Sequence, residues 1–477
     1  MYRPTAYARA LIILFVLTLP LCNPWVRGDG VGYYAFARSL LIEHRLDFTN
    51  DWYQANTSFR MDRINEDGQI VPQQYTVTGH LSNHFSVGPA ILWSPFLVVA
   101  HLGVLLYDHM GGHVAADGYS MPYILAMAFA TALYGFVALV ISFRLAREYL
   151  PERWCFLATL GIWFGSSLPV YMYFNPSWSH AHSAFAVAVF LLYWNLTRAA
   201  RTWGQWVVLG ALGGLMINVY YVTAVLFLLP LLESLAGYRA AIRGVASERM
   251  GRLFLKNAVF AATLLVAFLP TLITKKIIYG SYLDFGYTER WVWNSPAFFK
   301  VCFSADHGLF SWHPILILAV AGLFFLRRNG RALGLYLAGV FAAMLYTIGC
   351  YQNWDGLASF GNRFFTSLTP LFILGLAALF DWLSRAWQER RAAVVASAAT
   401  AVFIMWNLGL IFQWGTHLIP ARGPISWREA AYNQVAVVPV QAAHSVKNYF
   451  WHRRRMMNRI EEEDVKQLNS QPTEGKE

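Results

Sequence analysis

The chain is short of charge. Only 13% of its 477 residues are Asp, Glu, Lys or Arg, against about 25% in an ordinary soluble chain. That is too little to coat a globule of this length, so a water-soluble enzyme is excluded. Cysteine is scarce as well. Cys22, Cys155, Cys302 and Cys350 show no C-x-x-C spacing, which argues against a cysteine zinc site and a disulfide scaffold. No inverted or tandem repeat is visible, and many secondary transporters are built from such repeats. The glycines of "GALGGL" (210–215) follow no strand, so they read as helix packing and not as a phosphate loop.

What the chain has instead is apolar length. It is 57% hydrophobic and 16% aromatic, with 19 Trp and 25 Tyr, a composition that suits interfacial belts and sugar-stacking surfaces. Apolar runs long enough to cross a bilayer fall near 8–25, 122–143, 154–173, 181–197, 203–219, 220–237, 257–275, 310–326, 332–350, 364–384 and 392–413. The first follows Arg3 and Arg9 and lacks a small-x-small cleavage site, so it reads as an uncleaved span with its N-terminus in the cytoplasm.

A further run, 88–107, carries Pro89, Pro95 and His101, and counting it as a span would reverse everything after it. Loop charge decides the matter. If 88–107 does not cross, five short loops face inward. They hold Arg144, Arg147 and Arg153; Arg198 and Arg201; Arg239 to Lys256; Arg327, Arg328 and Arg331; and Arg385, Arg390 and Arg391. All five are basic, as inward loops should be. Segment 26–121 has nine acids against five arginines and lies outside. The net charge of +11 thus reads as topology, and no nucleic-acid partner is expected. The expected fold is all-α, a polytopic bundle of about eleven spans over residues 1–414, with a large first external loop (26–121) carrying juxtamembrane helices. Residues 415–477 form a polar, partly amphipathic tail whose end, "EEEDVKQLNSQPTEGKE", reads as disordered.

Ionisable residues gather at the outer ends of the spans. Asp29 stands at the exit of the first, in "VRGDGVGYYAFARSL". His180 and His182 stand at the entry to the fourth, and Lys275 and Lys276 at another outer end. The segment 284–314 brings Asp284, Glu289, Arg290, Asp306 and His307 outside, and Arg363 precedes a late span. This one-sided grouping points to external chemistry. Each residue also has a plainer reading. Asp29 could bridge to Arg27 or cap a helix. Two histidines two apart on a helix face different ways, which favours capping over a metal. Arg363 could snorkel to the interface or hold a phosphate with its fork.

Four stretches, "RGDGVGYYAFARSL", "NHFSVGPAILWSPF", "SADHGLFSWHP" and "SFGNRFFTSLTPLF", together with the order of one span, an Asp motif, a long external loop and a bundle, resemble the GT-C superfamily of membrane glycosyltransferases. That superfamily includes protein O-mannosyltransferases, aminoarabinose transferases of lipid A and oligosaccharyltransferases, and the chain looks most like bacterial lipid-linked-sugar transferases. The resemblance implies transfer of a sugar from a polyprenyl-phosphate donor to a hydroxyl of a glycan, lipid or protein acceptor. The reaction would invert the anomeric centre at the extracytoplasmic face of the bacterial inner membrane, among membrane lipids. Asp29 would be the general base. Arg363, His84, Arg290, Lys275 and Lys276 would be candidates for the donor phosphate, and Tyr33, His180, His182, Asp284, Asp306 and His307 for substrate binding. Relatives often carry another acid in the second external loop. This chain has only His180 and His182 there, which argues against a metal-dependent mechanism, and no other cofactor is implied. A transporter or lipid flippase, and a polysaccharide polymerase or ligase of the cell envelope, are the alternatives. The first would need ionisable groups at the midplane, and the second a large late loop.

Overall fold

The computed structural model describes residues 5–245, 248–326 and 330–470. Among them the only β pairing is in isolated bridges, Ile64 with Ile70, Tyr75 with Leu81 and Trp291 with Tyr351. The rest of the regular structure is helical, as lipid requires, because a helix satisfies its own backbone polar groups. Seven helices are long and apolar enough to cross a membrane: Gly88–His109, Met121–Arg147, Tyr221–Ile242, Met250–Tyr279, Ala332–Cys350, Arg363–Ala386 and Glu389–Gly415. Shorter apolar helices cover Ala6–Leu21, Trp203–Val219 and Ile315–Phe325. Bare apolar side chains such as Leu17, Val99, Val266 and Val402 face outward, as a lipid-facing surface demands. The protein is a polytopic helical membrane protein.

The expected run 154–173 is not one helix. Glu152–Gly165 stops, and Asn407 donates to the carbonyls of Phe164 and Ser166, both at 2.8 Å. Those bonds satisfy the broken end. The chain then turns through Val170–Phe174 and reaches Trp178 before His180–Thr197 begins. Side chains also explain the glycines of 210–215. A Cβ on Gly210 would lie 2.0 Å from Thr263 Oγ1, and one on Gly214 would lie 2.5 Å from Ala267 Cβ. These glycines let Trp203–Val219 lie close against Met250–Tyr279.

Charge sorts the two ends of the bundle. At one end Arg147 pairs with Glu152 at 3.4 Å, Arg153 with Glu389, and Arg201 with Glu233 at 2.9 Å. These are loops that the sequence assigns inward. Arg3, Arg327 and Arg328 lie outside the described residues, as does the Arg331 side chain. Asp29, Trp178 and Arg363 sit together at the other end. The helix Gly88–His109 starts beside the end of Trp203–Val219, where Ser86 Oγ donates to the Val219 carbonyl at 2.7 Å. Trp93 then reaches Thr131, and His101 reaches Tyr123, so the helix runs antiparallel to the first half of Met121–Arg147. It also packs on Asp29–Arg38.

The tail end expected to be disordered, 461–477, is helical as far as it is described. Residues Arg453–Ser470 are helical, while 471–477 lie outside the described residues. Polar anchors hold this helix. Asp464 pairs with Arg27 at 2.6 Å and with His417 at 2.9 Å. Glu461 accepts from Asn56 and from the Ser58 backbone, and Arg453 donates to the Cys22 carbonyl. The tail therefore packs on the same side as Asp29.

If the first loop and Gly88–His109 both stay outside, single cysteines at Asp67 and Ala116, two exposed positions, will each react with an impermeant maleimide in intact cells. Labelling of Ala116→Cys only after permeabilisation would mean that Gly88–His109 crosses.

Candidate active site

The site is built around a sharp turn. Gly28 adopts φ +52, a conformation that L side chains resist. A Cβ on Gly30 would come within 1.9 Å of Ser177 Oγ, so the chain can approach Ser177 only as glycine. The Gly28 N–H donates to Asn56 Oδ1 at 3.1 Å, and Trp178 Nε1 donates to the Arg27 carbonyl at 3.0 Å. Asp29 then opens the helix Asp29–Arg38, where the helix dipole favours a carboxylate. The far end is pinned by Arg38, whose fork donates to both oxygens of Asp51 at 2.7 Å.

Arg363 comes from 334 positions later and donates through Nη1 to Asp29 Oδ2 at 2.5 Å. Its guanidinium lies over Trp178, 4.6 Å from the ring centroid. The Asp29 side chain keeps 32% of its surface exposed and Arg363 keeps 12%. Arg27 is not the partner of Asp29, because Asp464 holds it. Snorkelling does not describe Arg363 either: its cation is turned inward to an acid.

The pair lies in the wall of a cleft of about 370 Å³. Of the residues singled out in the sequence, Asp29, Arg363, His84, Tyr33, His180, Glu289 and Arg27 line it. Burial, and next the Asp29 charge, hold the Tyr33 phenol well above its usual range, so Tyr33 remains a hydrogen-bond donor. Burial pushes His84 down to about 4. His84 therefore meets a ligand as a neutral imidazole and not as a cation.

The other candidates are elsewhere. Lys275 is fully buried, and its Nζ donates to the carbonyls of Asn83 at 2.9 Å and Phe85 at 3.1 Å; two of the ammonium's three N–H donors hold that loop. Lys276 donates to the Gly280 carbonyl, and Asp284 accepts from the Gly286 N–H. Arg290 is exposed and engages Gln352 through its backbone. His182 faces away from the cleft, packing on Trp93 and Tyr134. Asp306 and His307 lie outside the cleft lining.

Sequence reading missed Arg63, Asp62, Arg422 and Asp464, all in the cleft wall. Arg63 and Asp62 carried a usable signal, being charges within the external acidic loop. Arg422 and Asp464 come from the tail, which offers no apolar periodicity to place them. An apolar groove of about 310 Å³ adjoins the cleft and is lined by Trp25, Phe174, Phe412, Tyr449 and Ile460. The two share Arg27, Trp414, Ala421 and Asp464.

No protein-family model and no curated protein matches the chain. Among solved structures it is similar to ArnT from Cupriavidus metallidurans bound to undecaprenyl phosphate, with 13% identity and a TM-score of 0.49 over 85% of this chain and 70% of that one. It is also similar to the archaeal oligosaccharyltransferase AglB from Archaeoglobus fulgidus in complex with an inhibitory peptide and a dolichol-phosphate. There the identity is 14% and the TM-score 0.46, over 91% of this chain and 54% of that one.

Lys275 is placed to hold the 83–85 loop. Lys275→Met, which strands the Asn83 and Phe85 carbonyls, should cost about 1–3 kcal/mol of stability in detergent. The exposed Lys276→Met should stay within about 0.5 kcal/mol. Equal unfolding temperatures for the two variants would return Lys275 to the list of ligand-binding residues.

Proposed function

We propose that the protein is a membrane glycosyltransferase that moves a sugar from a polyprenyl-phosphate donor to an acceptor hydroxyl on the extracytoplasmic side. The carrying observation is the Asp29–Arg363 pair in a polar cleft that shares a wall with an apolar groove. A base, a cation and a lipid-sized apolar surface side by side fit a donor with an anionic head and a hydrocarbon tail. The arrangement does not suit a soluble sugar nucleotide, which has no tail to fill the groove.

The chemistry follows from the two side chains. Asp29 takes the proton of the acceptor hydroxyl as its oxygen attacks the anomeric carbon. The bond from that carbon to the phosphate oxygen breaks, and the lipid phosphate leaves with the electron pair. Attack from the face opposite the leaving group inverts the centre. Arg363 stabilises the charge that grows on the phosphate, which a partly buried guanidinium does better than one in water. Its fork has five N–H donors, so it can hold Asp29 on one edge and a phosphate on the other. The aromatic walls, Tyr220, Tyr287 and Tyr351, offer faces on which a sugar can stack. The acceptor arrives from the water side, between the first loop and the tail helix.

Asp29→Asn tests this reading. The amide oxygen still accepts from Arg363, so the fold and donor binding should persist. Transfer from a panel of radiolabelled polyprenyl-phosphate sugars should fall about 100- to 10,000-fold. Arg363→Lys should raise the KM for the donor more than that for the acceptor. Transfer by Asp29→Asn within a few-fold of wild type would show that Asp29 is only an anchor.

A further inference from the structure

Behind Arg363, outside the cleft lining, two acids and a histidine converge. One ligand atom each from Asp306, His307 and Asp355 lie within 4.8 Å of one another. His307 is 0% exposed, yet neither of its ring nitrogens nor Asp306 Oδ1 makes a hydrogen bond of good geometry, although the Asp355 backbone lies close to the ring. Unpartnered polar atoms at that depth are costly and rare. His307 Nδ1 stands 3.3 Å from Asp306 Oδ1 without forming a hydrogen bond. That separation is close to the edge of a tetrahedron around an ion with ligands at ~2.1 Å, about 3.4 Å.

The chemistry of the donors agrees. Two carboxylates and one imidazole aim oxygen and nitrogen lone pairs at one point, a donor set that a divalent cation would satisfy at once.

We propose that Asp306, His307 and Asp355 form a binding site for a divalent cation of the Zn2+ type, which ties the 304–308 turn to the loop that delivers Arg363. The lever is short. Asp355 lies eight residues before Arg363, and the loop between them is closed by Ser359 Oγ donating to the Asp355 carbonyl at 3.4 Å and Asn362 Nδ2 donating to that of Trp354 at 3.0 Å. On the other side, Trp312 Nε1 donates to the Ala305 carbonyl at 3.1 Å, which fixes the turn to the bundle. A bound ion would hold the Arg363 loop in register with that turn. It takes no part in the transfer step, so the site stands or falls apart from the assignment of Asp29.

The test uses the full-length chain without a histidine tag, stripped with chelator and dialysed against Zn2+ in detergent. Elemental analysis should find a single retained equivalent, and Co2+ in its place should show the intense visible bands of a low-coordinate ion. His307→Gln and Asp355→Asn should each weaken Zn2+ binding by roughly ten- to hundred-fold or more. If a variant does not fold, the Co2+ spectrum of the wild-type chain decides. The weak bands of a fully hydrated ion, or equal Zn2+ retention by wild type and His307→Gln, would overturn the proposal.

Discussion

One ion pair joins the beginning of the chain to its late spans, and the architecture around it serves to hold it. Asp29 and Arg363 meet across 334 positions of sequence, so each must be presented by a rigid element. Asp29 is aimed by the Gly28 turn and by a helix clamped at its other end by Arg38 and Asp51. Arg363 begins the segment Arg363–Ala386, and a helix N-terminus is a poor place for a cation. Without an anion it would be doubly unfavourable there, partly buried and at the positive end of a dipole. Asp29 relieves both. Such a pair is weak evidence for stability, since desolvation offsets much of its attraction. Breaking it, however, strands a charge. Its persistence is better explained by what the pair does than by what it stabilises.

The surroundings point the same way. A cleft whose wall turns from charged to apolar within one side chain's reach is suited to an amphiphile. Arg27 and Asp464 belong to both the cleft and the groove. They neutralise each other at the seam, so neither leaves an uncompensated charge facing hydrocarbon. The tail helix supplies part of this seam. A segment composed largely of charged and amide side chains cannot insert in lipid, and it folds because the first loop offers it matching partners in Arg27, Asn56 and Ser58.

This explains what was legible in the sequence. Asp29 stood out because a carboxylate between glycines at a span's exit has few bland uses, and Arg363 because it is a cation just before a late span. The spans were legible as apolar length, and the break after Gly165 was not. It depends on Asn407, a residue 242 positions later, turning its amide to the freed carbonyls. The surroundings of Lys275 were not legible for a related reason. Its position at the end of an apolar run is the same whether the ammonium faces water or two backbone carbonyls, and only packing tells these apart. The charges of the tail helix carried no positional signal, because their partners lie in the first loop. His180 and His182 show the converse. Their spacing of two sets them on different faces, and they part as helical geometry requires, one to the cleft and one to Trp93.

The resting contact between Asp29 and Arg363 also constrains the proposed reaction. The Asp29 oxygen that accepts from Arg363 is not free to take a proton from an acceptor while that bond holds. In the reaction proposed above, a donor phosphate arriving at the free edge of the same guanidinium would compete with Asp29 for it. The hold on the carboxylate would then loosen when the sugar is in place to be attacked. One fork of five donors thereby links occupation of the lipid side to activation on the water side. The coupling needs no moving domain, only two anions competing for one cation.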